Sequence, residues 1–277
     1  MILRKLFSYI VSFLKNKKFQ YFSPKIDNSY NKTIFSKFMI TGSNSGIGHE
    51  LTKVILKDNK KVLATYNKED TNLKKIQNSN LFIEKCDFGN FDEIKNLRKN
   101  NIFKDVDVII HCAATRGHIP EADQIFENID YEQLFKTYKV NALSFIELIK
   151  VLIDTNSKNI KLIINLSSWV ASNKKNKSGG MYIYRTSKNL LNSISKNLSV
   201  DIKKYFNCKI VVLHPGNVKT KMNENGELDA SSVAKRIYSI LSSEKILELD
   251  GKFIDLNMNE FPWWDPLQSI QGLKIVC

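Results

Sequence analysis

The stretch "KFMITGSNSGIGHELTKVIL" (37–56) decides the fold. A short apolar run ends in Thr41 and Gly42, and an amphipathic helical pattern begins near Gly46. Gly42, Gly46 and Gly48 give TGxxxGxG between a strand and a helix. A diphosphate can approach the backbone closely only where no Cβ intervenes, and a helix start offers it N–H groups and the positive end of the helix dipole. Gly42, Ser43, Asn44, Ser45, Gly46, Ile47 and Gly48 are therefore the expected phosphate cradle.

Outward from this unit the same alternation repeats. Apolar runs at 61–67, 81–88, 106–114, 161–168, 209–216 and 252–256 read as strands, and 46–59, 131–156, 184–205 and 231–244 read as helices. Near-continuous apolar runs mark strands buried on both faces, and their alternation with helices marks a parallel sheet covered on each side. The expectation is one doubly wound Rossmann-type α/β domain with about seven strands over 36–260. A segment 1–35 precedes it and a tail 261–277 follows. In such a sheet ligands bind beyond the carboxyl ends of the strands, so the residues just after each strand carry the function.

At the end of the second run the chain reads "ATYNKED". A carboxylate there would take the ribose 2′-hydroxyl of NAD, whereas a base would suit the 2′-phosphate of NADP. No carboxylate ends the run and Lys68 is the nearest base, which favours NADP with NAD as the other option, and Glu69 and Asp70 follow one step on. Asp87 and Phe88, after the third run, are placed toward the adenine side.

The chemistry lies in "SGGMYIYRTSKNLLNS" (178–193). Side chains four apart share a helix face, so Lys188 can act with Tyr184 but not with Tyr182. A phenol ordinarily titrates near 10, and a neighbouring ammonium favours its charged form, bringing an acid–base group toward working pH. Hydride transfer to a carbonyl needs such a proton donor at the oxygen. "NLSS" (165–168) supplies Ser167 and Ser168 to hold that oxygen; alternation puts them on opposite faces, so one of them serves.

TGxxxGxG, a serine pair, YxxxK and "HPGNVKT" in that order resemble the short-chain dehydrogenase/reductase family over about 37–260. "SGGMYIYRTSKNLLN", "LHPGNVKTKM" and "GKFIDLNMNEFPW" look like its C-factor (C-signal-like) branch. The resemblance implies Tyr184 as proton donor and Lys188 as its tuner and ribose ligand. It implies Ser168 as the carbonyl-orienting hydroxyl and Asn141, in "KVNALS", as holder of a water linking Lys188 to solvent. Ala113 and Ala114 would border the adenosine side, and Pro215, Gly216, Val218 and Thr220 the nicotinamide. The implied activity is an NAD(P)-dependent reductase or dehydrogenase acting on a small carbonyl or alcohol, in a homo-oligomer paired through its two long helices. The C-factor branch also implies an alternative: a dinucleotide-binding signalling or scaffold protein at a membrane surface, with little turnover.

Three departures stand out. The family's Asn-Asn-Ala-Gly is here His111, Cys112, Ala113, Ala114, without the asparagine that braces the backbone. Arginines common in the branch before the second loop glycine and at the second strand end are Ser45 and Asn67. The insert "NKKNKSGG" (173–180) should form a basic flap beside the substrate cleft.

The totals exclude other classes. The 277 residues carry a net charge of +14, but the lysines are dispersed and no basic helix is interleaved with aromatics, so nucleic acid is not the expected partner. Cys86, Cys112, Cys208 and Cys277 form no CxxC pair, and His111, His118 and His214 no ligand spacing; free thiols in a reducing, cytoplasmic setting and no metal are expected. Residues 2–18 separate into an apolar and a basic helical face, suited to an anionic membrane surface, a targeting presequence or a packed helix. Trp263 and Trp264 read as pocket lining, an oligomer contact or packing.

Overall fold

The structure is a computed structural model that describes residues 33–68, 71–117 and 125–263. The amphipathic segment 2–18, Glu69, Asp70, His118, Trp264 and Cys277 lie outside the described residues.

The strands in chain order are β1 (Lys37–Thr41), β2 (Lys61–Tyr66), β3 (Leu81–Lys85), β4 (Val108–His111), β5 (Leu162–Leu166), β6 (Lys209–Leu213), β7 (Val218–Lys219), β8 (Leu228–Asp229) and β9 (Phe253–Ile254). The helices are α1 (Gly46–Lys57), α2 (Thr71–Lys74), α3 (Phe91–Asn96), α4 (Tyr131–Tyr138), α5 (Ser144–Asp154), α6 (Tyr182–Asp201) and α7 (Ala230–Leu241).

Seven strands form one sheet in the order β3-β2-β1-β4-β5-β6-β9, every pairing parallel. All seven expected apolar runs are in it. Alternate strand residues feed two cores. Phe38, Ile40, Val62, Ile110, Ile164 and Val211 pack with Leu51 and Ile55 of α1 and Ile237 of α7. Met39, Leu63, Ile109, Ile163 and Ile210 pack on the other face with Phe145 and Leu148 of α5 and Leu191 of α6. Each such side chain, removed from water on both layers, contributes roughly 1.5–3 kcal/mol, and this burial is why the strands read as unbroken apolar runs.

The strand order reverses between β1 and β4, whose carboxyl ends meet at Thr41 and His111. That is where a doubly wound sheet opens its crevice. Several strands stop earlier than their apolar runs: β3 ends at Lys85 and β4 at His111, leaving Cys86–Phe88 and Cys112–Ala114 as loop at the crevice.

One expectation is corrected. The span 131–156 is not a single α-helix: α4 and α5 are separated by a π-helical turn, Lys139–Leu143, with Asn141 and Ala142 buried in it. A π-turn inserts one residue into an α-helix and re-aims the side chains beside it, often at a functional site. No helix among the described residues is long and apolar enough to cross a membrane.

Candidate active site

A cleft of about 250 Å³ opens at the carboxyl edge of the sheet. The glycine loop forms its floor because two close approaches exclude a side chain. A Cβ on Gly48 would stand 2.5 Å from the Gly42 carbonyl oxygen, and one on Gly42 would stand 2.9 Å from Ala113 Cα. Ser45 begins α1 in extended conformation with no side-chain cap, and no acidic residue occupies the first turn. The first N–H groups of α1 are thus left to an anion. Gly42, Asn44, Ser45, Gly46, Ile47 and Gly48 line the cleft, while Ser43 is buried and donates its hydroxyl to Ile40 O at 2.7 Å. These features fit a dinucleotide diphosphate.

The missing asparagine after β4 has a substitute on the neighbouring strand. Thr41 Oγ1 accepts from Cys112 N at 3.0 Å and from Ala113 N at 2.9 Å. It also meets His111 Nδ1 at 3.0 Å. With two N–H groups already on that oxygen, the hydroxyl proton goes to Nδ1, so His111 is neutral with its remaining proton on Nε2. Burial pushes His111 down to about 3, with the Lys188 charge adding to the same effect. The imidazole lies between the Phe88 and Phe145 rings, at 5.2 and 5.9 Å.

Opposite the glycine loop, α6 presents Tyr184 and Lys188, both lining the cleft and both buried. Lys188 Nζ donates to Leu166 O at 2.8 Å and stands 5.9 Å from the Tyr184 ring centroid. Burial pushes the ammonium down to about 8. Asn141, in the π-turn, has both N–H protons and its oxygen committed to protein groups. Its Nδ2 donates to Thr115 O at 2.8 Å and Ser187 Oγ at 2.9 Å, and its Oδ1 accepts from Thr115 N at 2.8 Å. Ser187 in turn donates to Tyr184 O at 2.8 Å.

The serine pair divides as alternation predicts. Ser167 is buried and donates to Asn192 Oδ1 at 2.6 Å. Ser168 is half-buried at the start of the turn Trp169–Ala171, and its side chain does not cap that turn. Ser167 is the one that borders the cleft wall.

Asn67, Asp87, Phe88, Ala113, Ala114, Pro215 and Thr220 also line the cleft. Lys68 is exposed and does not line it, and Gly216 and Val218 sit behind it in the Pro215–Thr220 segment. Cys86, Cys112, Val140 and Leu166 line it unannounced, and Lys221 and Met222 line it from the segment after Thr220, an expected pocket wall. Lys221 and Met222 simply continue "VKTKM", and Val140 was hidden because the π-turn leaves no periodic signature. Cys86, Cys112 and Cys208 are free thiols. Among the described residues no cluster could hold a metal.

The flap at 173–180 is tied down from two sides. Trp263 O accepts from Asn173 N at 3.0 Å, and Ser172 Oγ donates to Pro262 O, so Trp263 fastens the flap through its backbone. Arg185, buried beside Tyr184, donates to Gly180 O at 3.2 Å, Val170 O at 3.0 Å and Gly179 O at 3.2 Å.

Known proteins share this fold. The carbonyl reductase Sniffer of D. melanogaster superposes with a TM-score of 0.73 at 27% identity, over 83% of this chain and 100% of that one. An NADPH-bound carbonyl reductase from chicken fatty liver shares the fold at a TM-score of 0.71 and 21% identity, over 83% and 99%. C-signal of Myxococcus xanthus is 27% identical over 160 residues, 57% of this chain and 93% of that protein. An uncharacterized oxidoreductase of Saccharomyces cerevisiae is 32% identical over 123 residues, 43% of this chain; the match spans only 39% of the yeast protein. The short chain dehydrogenase family model matches residues 37–230, from β1 to the start of α7, and the chain belongs to that family.

Proposed function

We propose that the chain is an NADP-preferring carbonyl reductase or alcohol dehydrogenase for a small-molecule substrate. One observation carries the reading: Tyr184 and Lys188 face the uncapped glycine cradle across a single cleft, with the ammonium fixed 5.9 Å from the phenol ring. Bound there, a nicotinamide dinucleotide supplies or accepts hydride. The chain's own residues do the rest. Tyr184 gives its phenolic proton to the carbonyl oxygen, or takes one from the alcohol. Lys188 favours the charged phenol and reaches the ribose. Ser168, whose hydroxyl makes no capping bond to its own turn, orients the substrate oxygen. Asn141 frames Thr115 and Ser187 about them. The NADP preference rests on neutral Asn67 at the ribose end of the cleft and on the cofactor bound to the chicken reductase.

A homo-oligomer pairing α4–α5 and α6 is part of this reading, supported by Tyr131 and Phe135, exposed at 66% and 64% on α4.

The test is Tyr184→Phe. Turnover of a carbonyl panel with NADPH should fall at least about a hundredfold, the low end for a lost general acid, while NADPH binding persists. Retained turnover would remove Tyr184 from the mechanism. The Myxococcus relative favours a second reading, a dinucleotide-binding signalling protein; NADPH binding by the wild-type chain without turnover of any carbonyl would select it.

A further inference from the structure

Asn141 fixes more than its own helix. By gripping Thr115 through both its N–H and its C=O, it sets the direction of the chain leaving β4. The next residue, Arg116, is thereby laid on the catalytic helix, its guanidinium carbon 5.4 Å from the Tyr184 ring centroid. Through Ser187 the same amide also steadies the backbone of Tyr184 itself. One side chain in a π-turn thus registers the loop that carries the arginine against the helix that carries the phenol.

We propose that Arg116 is a positioning residue for Tyr184, stacking on its ring to hold the phenol in place and stabilising its ionised form. This rests on the reading of Tyr184 as the proton-transfer group. A cation over an aromatic face is attracted by the ring quadrupole, and a positive charge at this range favours a phenolate. A guanidinium suits both tasks because it is planar and keeps its charge at any working pH.

Two cations lie over the Tyr184 ring among the described residues, Arg116 at 5.4 Å and Lys188 at 5.9 Å. His111 and Cys112, which face Lys188 from the end of β4, are neutral in the working range; burial pushes His111 down to about 3 and the Cys112 thiol up to about 12. Lys188 begins to lose its own charge near 8, since burial has lowered it there.

The experiment uses the full chain with Arg116→Met and Arg116→Lys. Tyrosinate ultraviolet absorbance is titrated in each and in the same variant carrying Tyr184→Phe, so that the difference reports the Tyr184 phenol and needs no turnover. The midpoint should rise by about one pH unit in Arg116→Met, the low end for an opposite charge at this range. Arg116→Lys should recover most of it. The pH profile of kcat/KM for alcohol oxidation should move the same way. An unmoved midpoint in folded Arg116→Met overturns the proposal. So does a raised KM confined to anionic substrates with the midpoint unmoved, which would make Arg116 a substrate contact. A shifted midpoint in a protein that turns nothing over supports the proposal and removes the reductase reading instead. Should Arg116→Met not fold, Arg116→Gln is read by the same criteria.

Discussion

Lys188 is the residue at which the proposed function and stability oppose each other. It is 3% exposed, and burial has lowered its ammonium to about 8 from an ordinary value near 10.4. Between those values the unfolded chain binds more protons than the folded one, so stability rises with pH across this window and the destabilisation is complete below about 8. Lys188→Met should therefore be more stable than wild type at pH 7 by roughly 2 kcal/mol, once the lost bond to Leu166 O is set against the relieved desolvation. The gain should shrink toward pH 10, while turnover disappears. Urea denaturation of both proteins at the two pH values measures it; a variant less stable than wild type at pH 7 would mean that the Leu166 bond outweighs the burial. At this scale the sequence was only partly legible. The Tyr184–Lys188 pair follows from helical spacing alone. Alternation could split Ser167 from Ser168, but Asn192, which takes the Ser167 hydroxyl, lies 25 residues away. The bracing of Cys112 and Ala113 by Thr41 was invisible for the same reason: it joins strands about 70 positions apart.

Among the elements, the strands were legible because a parallel sheet buried on both faces needs unbroken apolar runs, and no other element here requires them. Their carboxyl ends were read too long. Cys86, Phe88 and Cys112–Ala114 are loop residues that wall a cleft and do not extend a ladder. The π-turn at Lys139–Leu143 was unreadable, since one inserted residue barely perturbs a helical period. The flap was expected as a basic insert, but not the clamp that holds it. Gly179, Gly180 and Met181 run in left-handed conformation into α6, at φ +62, +65 and +53. Arg185 takes up the carbonyls this path exposes. A non-glycine residue in that region costs roughly 1–2 kcal/mol, so the path needs such support. Arg185→Met should free the flap. Its lysines, Lys174, Lys175 and Lys177, should then be cut by trypsin several times faster than in wild type, and KM should rise more than kcat falls. Unchanged cleavage would mean that Ser172 and Trp263 alone hold the flap.

On the scale of the whole molecule, the cradle, the Thr41 brace and the α6 face converge from three parts of the chain on one crevice between the cores. A ligand bound there is held only by the folded state and must stabilise it by mass action, about 2.7 kcal/mol at a hundredfold excess over Kd. For a domain of this size each kcal/mol moves Tm by about 2–4 °C, so saturating NADPH should raise Tm by about 5–10 °C. NADH at the same concentration should raise it less, because no carboxylate among the described cleft residues stands at the ribose end of β2 to hold a 2′-hydroxyl; Asn67 is there instead. Asn67→Asp tests this directly. An introduced carboxylate accepts from the 2′-hydroxyl and repels the 2′-phosphate, so the NADPH shift should shrink, the NADH shift grow and their order reverse. The substitution is at an exposed loop position, so the melting temperature without ligand should barely move. If the two shifts keep their order in Asn67→Asp, the 2′-phosphate is held elsewhere and exposed Lys68 becomes the residue to change next. If neither dinucleotide moves Tm in the wild-type chain, the cradle does not bind one, and the reductase and the signalling readings lose their shared premise together.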